Sequence, residues 1–532
     1  MNTHKKPDFF GLVLVLALMA TRDGAVGASH PFRESAEITA APSAASHCPA
    51  LPPPTGNIVN VSTVAGLQNA VNAATSGTTI LVADGTYNLG QNGHYLWLDT
   101  PNVTLRSASG NREAVILDDN YSASETVTIA ASNVTIADIT IKRAGTHPIH
   151  VVTPSGANTS GTLIYNVRVI DPGQQAIKIN PSATGYYLDN GTVACASIEL
   201  TDAGRQKVLD INGSCYTGGV DAHQARSWVI RDNLIQGFWC SSDLAEHGIH
   251  LWSDSADTLV ERNKIVDCAR GIGFGLGSSG HSGGVIRNNM VRVNQDVGIG
   301  LENSPNTHVY NNTVYNGNDY MASIEYRFAA TNGVSIINNL TNKAILSRDG
   351  GSGTVQNNVT NAQASWFASA ATGDLHLASS ISSVVDRGQT LAEVTDDYDG
   401  DTRPIGSASD VGADEYRAPP PSAVTDLRVT HAVTATGTLT ATLDWTAPAS
   451  AVTTTLRYSG TLITEANWAS AFLLTNTLSG TAQTYTATVA YTSGMAYFAL
   501  KSQNADGAWS ALSNNAFWPH QDICLPLVMR AD

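Results

Sequence analysis

The five residues Val229-Ile230-Arg231-Asp232-Asn233 are one copy of a motif that recurs through the middle of the chain. Each copy has a short apolar, mostly β-branched run that leads into a polar turn ending in asparagine. Later copies end at Asn263, Asn289, Asn312, Asn339 and Asn358. Successive asparagines are 30, 26, 23, 27 and 19 residues apart. A repeat of about 20–50 residues indicates a solenoid or a propeller.

The residues between the copies narrow this choice. They carry no helical periodicity and no WD or kelch signature, which excludes leucine-rich, ankyrin-type and propeller arrays. We therefore predict a right-handed parallel β-helix over residues 57–416, with about three short strands in each coil. Asparagine amides stacked at one turn can hydrogen-bond from coil to coil. We expect the six asparagines to form such a structural ladder.

Composition agrees with an all-β chain. The 532 residues include 46 glycines, and 42% of residues are hydrophobic while 14% are charged, which excludes disorder for most of the length. The formal net charge of −16 argues against binding to nucleic acid or to anionic membranes. We expect a β-helix followed by a small β-sandwich, in a monomeric protein.

The amino terminus predicts export. Lys5 and Lys6 precede an apolar run at residues 9–20, and small residues near Ala28 suit a cleavage site, so residues 1–28 are interpreted as a signal peptide. Residues 29–56 are expected to be a disordered linker. No other apolar run approaches the roughly 18 residues of a membrane span. We therefore expect a secreted protein without a transmembrane segment.

Six cysteines enter an oxidising compartment if the chain is exported. We predict a Cys195–Cys215 disulfide across the long segment 182–217, and a Cys240–Cys268 disulfide between neighbouring repeats. The states of Cys48 and Cys524 are left open.

Two stretches near the ends of the repeat resemble known proteins. Leu67-Gln68-Asn69-Ala70-Val71, with residues 80–87 after it, resembles the amino-terminal cap and first coil of pectate-lyase-like β-helix proteins. Residues 397–404 and 410–416 are similar to a segment that closes many secreted bacterial β-helices. This resemblance implies a fold and a polysaccharide partner. The alternating Asp397, Asp399 and Asp401 are expected to belong to a turn-rich structural cap, with calcium bound as a cofactor as the alternative.

The remaining residues form a separate carboxy-terminal part. Prolines within 417–423 indicate a stiff linker. Short alternating strands within 424–519, together with Gly507-Ala508-Trp509-Ser510, resemble a fibronectin type III module. Residues 520–532 form a short tail.

Candidate functional residues come from aligning the strand after each asparagine turn. Strand residues alternate between faces, so those beside an inward Ile or Val are expected to point to solvent. The first outward column is His150, Lys178, Asp221, His250, Gly273, Gly300, Glu325 and Leu346. The second is Val152, Asn180, His223, Trp252, Gly275, Glu302, Arg327 and Arg348. Three glycines thus predict a groove floor between two polar clusters.

The first cluster is the predicted catalytic centre. We assign catalytic roles to Lys178, Asp221, His223 and His250, because a neighbouring carboxylate can orient an imidazole and raise its basicity. Trp252 is expected to stack on a sugar ring. Alternatives are a solvated polar ladder, or a metal held by His223, His250 and Asp221. His150 and Asn180 next to this cluster are predicted to bind substrate.

The second cluster consists of Glu302, Glu325, Arg327 and Arg348, which are also predicted to bind substrate. Glu302 and Glu325 are expected to be about 8 Å apart along the backbone. That separation suits the acid and base of an inverting glycoside hydrolase. An ordinary exposed ion pair is the alternative.

These residues favour a secreted carbohydrate-active enzyme. We predict a lyase that cleaves an anionic, uronic-acid-containing polysaccharide by β-elimination, with base and cations from the two clusters. A glycoside hydrolase using Glu302 and Glu325, or a C5-epimerase, is the alternative chemistry. A glycan-binding surface protein or adhesin without activity is the alternative outside enzymology.

Overall fold

The computed structural model describes residues 47–90, 95–505 and 507–519. Residues 57–359 form a parallel β-solenoid in which each coil passes through three sheets, here called sheets 1, 2 and 3. A short fourth strand lies between sheets 3 and 1 in five successive coils. The predicted all-β class, with a right-handed β-helix and small antiparallel sheets after it, is confirmed.

The strands of each sheet are stacked in chain order. Sheet 1 contains Asn57–Val61, Thr78–Val82, Thr104–Ser107, Thr135–Ala137, Leu163–Tyr165, Thr192–Ala194, Val229–Arg231, Leu259–Glu261, Val285–Arg287, His308–Tyr310, Val334–Ile337 and Gly353–Gln356. Sheet 2 contains Gly85–Asn88, Val115–Asp118, Thr140–Lys142, Arg168–Ile170, Ser197–Glu199, Leu234–Gln236, Lys264–Cys268, Met290–Val293, Thr313–Asn316 and Leu340–Thr341. Sheet 3 contains Leu96–Leu98, Glu125–Ile129, His147–Val151, Gln175–Ile179, Gly218–His223, His247–Trp252, Arg270–Phe274, Ile299–Glu302, Ala322–Arg327 and Ala344–Arg348. The short fourth strands are Thr159–Ser160, Leu188–Asp189, Ala225–Arg226, Ser255–Ala256 and His281–Ser282.

Apolar side chains of all three sheets fill the interior of the coil. In sheet 3 the inward column runs from Ile149 to Ile324 and is fully buried. Because side chains alternate along a strand, a slip of one residue would bury the polar columns instead. The observed pairing, for example Ile249 with Ile272, matches the register predicted from the sequence.

The asparagine ladder is confirmed at the turn between sheets 1 and 2. Asn233 donates its amide to Asn263 and Asn263 donates to Asn289, each over 2.9 Å. The chain of amides continues through the next three members, Asn312, Asn339 and Asn358. The backbone N–H of each asparagine donates to the same acceptor oxygen in the next coil, so the ladder fixes the turn.

Two helices interrupt the solenoid. Val64–Asn72 packs Leu67 into the amino-terminal end of the core, as the resemblance implied for a cap, and Thr63 caps its amino terminus. The second helix, Asp202–Asn212, lies within the long segment 182–217. That segment also contains one strand each of sheets 1 and 2, so it is a coil with an inserted helix.

The predicted cysteine pairing is wrong. The disulfides are Cys48–Cys195 and Cys215–Cys240, and Cys268 is free and buried. Cys215 and Cys240 both lie in the connections that lead from sheet 2 into sheet 3, in successive coils. Cys195 instead occupies the turn between sheets 1 and 2, where the chain near Cys48 packs alongside. Cys524 lies outside the described residues, as do the predicted signal peptide and the tail 520–532.

The carboxy-terminal cap of the β-helix is rich in turns. It includes the 3₁₀ helices Ala364–Trp366 and Ala370–Thr372, and the hairpin Phe367–Ser369 with Asp374–Leu377. A buried ion pair joins Arg403 to Glu415, with 2.5 Å between charged atoms. Asp397 accepts hydrogen bonds from three backbone N–H groups, which favours the structural cap over calcium for that carboxylate.

The carboxy-terminal part forms two antiparallel sheets. The first contains Arg428–Ala435, Thr438–Asp444 and Thr484–Ala490, and the second Phe472–Ser479, Thr453–Ser459, Ala496–Gln503 and Ala516–Trp518. The 3₁₀ helix Trp468–Ser470 lies in the connection before Phe472–Ser479. Trp445, Leu456 and Phe498 pack between the sheets. The assignment to the fibronectin type III family stays a prediction. Among the described helices, none is long and apolar enough to cross a bilayer.

Candidate functional site

Sheet 3 carries both predicted columns on its outer face. In the first column Lys178 pairs with Asp221, and Asp221 pairs with His250. In the second column His223 pairs with Trp252, and two coils further on Glu302 pairs with Arg327. The predicted alignment is therefore confirmed by the strand register, whereas the roles of these residues stay predictions.

The first cluster is a connected polar network around Asp221. The Lys178 ammonium donates to Asp221 Oδ2 and lies 3.0 Å from His223 Nε2. Trp252 donates its indole N–H to Asp221 Oδ1 over 2.8 Å. Lys178 contacts both Asp221 and His223, and His223 Nε2 lies 3.4 Å from Asp221 Oδ2, so these atoms are already engaged with one another. The predicted metal set His223, His250 and Asp221 is not assembled.

Much of this network is less exposed than the alternation predicted. Lys178, Asp221 and His250 have relative exposures of 7%, 3% and 1%. The second column leans over the first, since the Trp252 ring stacks parallel to His250 with centroids 5.3 Å apart. His223 packs edge-on against Trp252 at 4.4 Å and stays partly exposed. One face of Trp252 is therefore covered by His250 and does not lie open to a sugar.

A third outward column precedes the two predicted ones. Its register pairs Glu125 with His147, Gln175 with Gly218, and His247 with Arg270. The strand alignment did not include this column, because two successive residues point inward after it. In the strand His247–Trp252, a Cβ on Gly248 would lie 2.9 Å from core residue Ile265, and Ile249 is buried as well.

His247 also changes the interpretation of the glycine floor. A Cβ on Gly273 would lie 2.6 Å from His247 Nε2, so the space above this glycine is filled by an imidazole. Gly275 has φ near +78°, and a Cβ there would collide with the Glu302 carbonyl. Gly273 and Gly275 are thus required by packing and backbone conformation, and the prediction of an open three-glycine floor is wrong.

Burial and neighbouring charges shift the pKa values of the carboxylate and of the two imidazoles in this cluster. Burial alone would raise the pKa of Asp221, but Lys178 and His223 hold this pKa well below its usual value. Burial lowers the pKa of His250 and lowers that of His247 well below its usual value. At neutral pH the site therefore holds an ionised Asp221 beside two neutral imidazoles.

His150 and Asn180 lie together at the amino-terminal end of the cluster. His150 Nε2 is 2.7 Å from Asn180 Oδ1, and its Nδ1 contacts Glu125. Burial would raise the pKa of Glu125, but the hydrogen bond from His150 lowers it to about 2. Both predicted substrate-binding side chains are thus engaged with protein partners.

The second cluster is a network of ion pairs. Arg327 lies 3.2 Å from Glu302 and 4.0 Å from Glu325. Glu325 is buried and also receives hydrogen bonds from Tyr320 at 2.6 Å and Arg348 at 2.9 Å. Guanidinium groups favour ionised carboxylates, whereas a hydrolytic acid must be protonated. The arrangement therefore favours the ion-pair alternative for Glu302 and Glu325.

Among the residues that the structure describes, two groups of side chains bring metal-type donor atoms within 4.8 Å of one another: Glu246, His247 and His250, and His376, Asp399 and Asp414. In the second group His376 Nδ1 lies 2.5 Å from Asp374, and Nε2 lies 3.1 Å from Asp399. Burial alone would lower the pKa of His376, but these carboxylates raise it to about 10. In this group the imidazole is therefore held by ion pairs to Asp374 and Asp399.

Comparisons with known proteins agree on the fold. A sequence profile described as a right-handed β-helix region matches residues 196–365. No curated protein matches the chain by sequence.

Several solved structures have a similar fold, but their sequence identity to this chain is low. The pectate lyase Pel9A has 16% identity and a TM-score of 0.47, over 68% of this chain and 97% of that one. An alginate lyase from Paenibacillus sp. str. FPU-7 has 11% identity and a TM-score of 0.32, over 56% of this chain and 99% of that one. A mannuronan C-5 epimerase module from Azotobacter vinelandii has 14% identity and a TM-score of 0.34, over 56% of this chain and 93% of that one. The chain is a right-handed parallel β-helix protein, and this fold alone assigns no activity.

Proposed function

We propose that the protein is a secreted carbohydrate-active enzyme, a lyase that cleaves a uronic-acid-containing polysaccharide by β-elimination. The observation that carries this proposal is the contact between Lys178 and His223 at the partly exposed edge of the Asp221 network. An elimination at a uronate needs a cation for the sugar carboxylate and a base for the neighbouring C–H. Lys178 and His223 supply these two groups within 3.0 Å of each other.

The same contact suggests the order of events. Without substrate, Lys178 donates to Asp221, and it also donates to His223 Nε2 when the imidazole carries its proton on Nδ1, so this nitrogen is then occupied. A substrate carboxylate that accepts a hydrogen bond from Lys178 would replace His223 and free its Nε2. His223 then takes the C5 proton, the C5–H electrons form the C4–C5 double bond, and the C4–O bond breaks. The departing oxygen takes a proton from the Lys178 ammonium or from water.

Positioning comes from residues that do not react. Asp221 holds Lys178 in place, and Trp252 holds Asp221 through its indole N–H. Trp252 is partly exposed between His250 and His223, and its exposed part is the portion that a substrate can contact. Secretion is part of the proposal, and the two disulfides support an oxidising environment.

The test is a screen of the purified protein against pectin, alginate, glycosaminoglycans and neutral glycans. Elimination produces a conjugated double bond that absorbs in the ultraviolet, whereas hydrolysis produces reducing ends without this absorbance. We expect ultraviolet-absorbing products from a uronate polymer, lost in His223→Ala and Lys178→Gln. His308→Ala is the matched control, since His308 lies on sheet 1 and pairs with Glu393.

Other outcomes would replace the proposal. Reducing ends without absorbance would assign a hydrolase, and a change at C5 without chain cleavage would assign an epimerase. Retained glycan binding with no product from any polymer would assign a non-catalytic glycan-binding protein or adhesin.

A further inference from the structure

Three polar atoms without hydrogen-bond partners come from the sheet 3 strand His247–Trp252 and the residue before it, outside the proposed acid–base pair. Glu246 Oε2, His247 Nδ1 and His250 Nδ1 are all buried, and none has a hydrogen-bond partner among the described residues. Buried polar atoms without partners are uncommon in folded proteins, and each requires a physical explanation. Here three such atoms come from one short stretch of chain.

A hydrogen bond to the backbone fixes which ring nitrogen of His250 carries the proton. Its Nε2 lies 3.2 Å from the Gly275 carbonyl oxygen, which accepts a hydrogen bond and therefore requires the proton on Nε2. In the neutral ring Nδ1 then presents a lone pair. This lone pair faces Asp221 Oδ1 at 3.5 Å and Glu246 Oε2 at 3.6 Å. Acceptor atoms that face one another without a shared proton repel, and a cation between them would remove that repulsion.

Burial around these atoms also points to a ligand. His247 and His250 are 5% and 1% exposed, and their rings lie 4.5 Å apart. A histidine that binds a metal through one ring nitrogen usually donates its other ring N–H to a carbonyl or carboxylate oxygen, as His250 does here. Asp221 lies just outside the three atoms and is held by Trp252.

We propose that Glu246, His247 and His250 bind one divalent metal ion of the zinc type. Two imidazoles and one carboxylate form a ligand set that suits zinc, whereas calcium and magnesium take oxygen ligands. One donor atom from each residue lies within 4.8 Å of the others. Zinc bonds of about 2.0–2.2 Å place tetrahedral ligands roughly 3.4 Å apart. The 3.6 Å between His250 Nδ1 and Glu246 Oε2 is close to that spacing.

This inference does not depend on the proposed lyase activity. Metal binding is measured without substrate, so an inactive protein that binds zinc would refute the lyase and keep the metal site. An active lyase that binds no zinc would do the reverse.

The experiment uses the full chain without a polyhistidine tag, stripped with a chelator and then dialysed. Bound zinc per chain is measured by equilibrium dialysis and elemental analysis, and cobalt is added separately as a spectroscopic probe. We expect tight zinc binding and a tetrahedral cobalt spectrum. Glu246→Gln keeps the size and the fold but removes the carboxylate. This variant should bind one zinc ion fewer per chain than the wild type, or bind zinc with an affinity at least about tenfold weaker.

Controls separate this site from other histidines. His376→Asn tests the cluster with Asp399, and His308→Asn tests a partly exposed imidazole on sheet 1; both variants should bind zinc as the wild type does. Zinc should raise the melting temperature of the wild type and of both controls, but not of Glu246→Gln. If Glu246→Gln is folded by circular dichroism and binds zinc as tightly as the wild type, the proposal is wrong. Loss of the same equivalent in His376→Asn would also overturn it.

Discussion

Lys178 Nζ lies 3.0 Å from His223 Nε2, although the two residues occupy adjacent coils and different columns of sheet 3. Lys178 also donates to the buried Asp221, and His223 Nε2 lies 3.4 Å from the same Asp221 oxygen, so the three side chains form one connected polar group. The protonation states of three residues are thereby linked. A change at any one of them is expected to alter the other two.

Removing the cation should destabilise the β-helix. In Lys178→Met the carboxylate of Asp221 stays buried without its ammonium partner, which typically costs about 3–5 kcal/mol. The free energy of unfolding of the β-helix, measured in guanidinium, is expected to fall by this order. Lys178→Met combined with Asp221→Asn should recover most of the loss. A double variant as unstable as the single one would show that the charge is not the cause.

The asparagine ladder should be strongest in its middle. Asn289 donates to Val260 O, Arg287 O and Asn312 Oδ1, and it accepts from Asn263. Asn289→Ala leaves several of these buried groups unpaired, at about 1–3 kcal/mol each. The expected result is a clear fall in melting temperature.

The matched control for the ladder is Asn358→Ala. This residue is the last member and is partly exposed, so water can replace its hydrogen bonds. Equal losses at both positions would contradict a cooperative buried ladder.

Repetition explains how much the sequence could predict. The fold, the ladder and the neighbours of Asp221 follow from a pattern that recurs once per coil, so each copy confirms the register of the next. Errors arose where the pattern is broken. Gly248 and Ile249 both point inward, and this local irregularity places His247 on the outer face, against the expectation of strict alternation.

Burial of the candidate site was not predictable from alternation. An outward position predicts solvent only when no neighbour leans over it, and here Trp252 stacks on His250. The cysteine pairing failed for a related reason. The partner of Cys195 is Cys48, from a segment outside the repeat whose path no periodicity specifies.

The cysteines give a direct chemical test of the corrected pairing. Peptide mapping without reduction should recover Cys48 linked to Cys195 and Cys215 linked to Cys240. Cys268 should react with a thiol reagent only after unfolding, because burial raises its pKa to about 12. Recovery of a Cys195–Cys215 peptide from folded protein would contradict the structure.

Loop length predicts which disulfide contributes more to stability. Cys48 and Cys195 are 147 residues apart, against 25 for Cys215 and Cys240. The entropy that each disulfide removes from the unfolded chain stabilises the folded state by about 5 kcal/mol for the first pair and about 3.5 kcal/mol for the second. Replacing both cysteines of a pair by serine should therefore lower the melting temperature more for the first pair. The reverse order would mean that strain or residual structure in the unfolded chain dominates.

The ion-pair cluster at the cap predicts a pH-dependent contribution to stability. His376 has a pKa of about 10 in the folded protein, because hydrogen bonds to Asp374 and Asp399 outweigh the effect of burial. Its unfolded value is near 6.5. Below pH 6.5 both states hold the proton and the stabilisation is complete; between 6.5 and 10 only the folded state holds it, so stability falls as pH rises. His376→Gln should thus melt below the wild type by several degrees at pH 6, and this gap should close by about pH 10.5. Melting curves of both proteins across this range check the prediction, and a gap that stays constant would assign His376 a packing role instead.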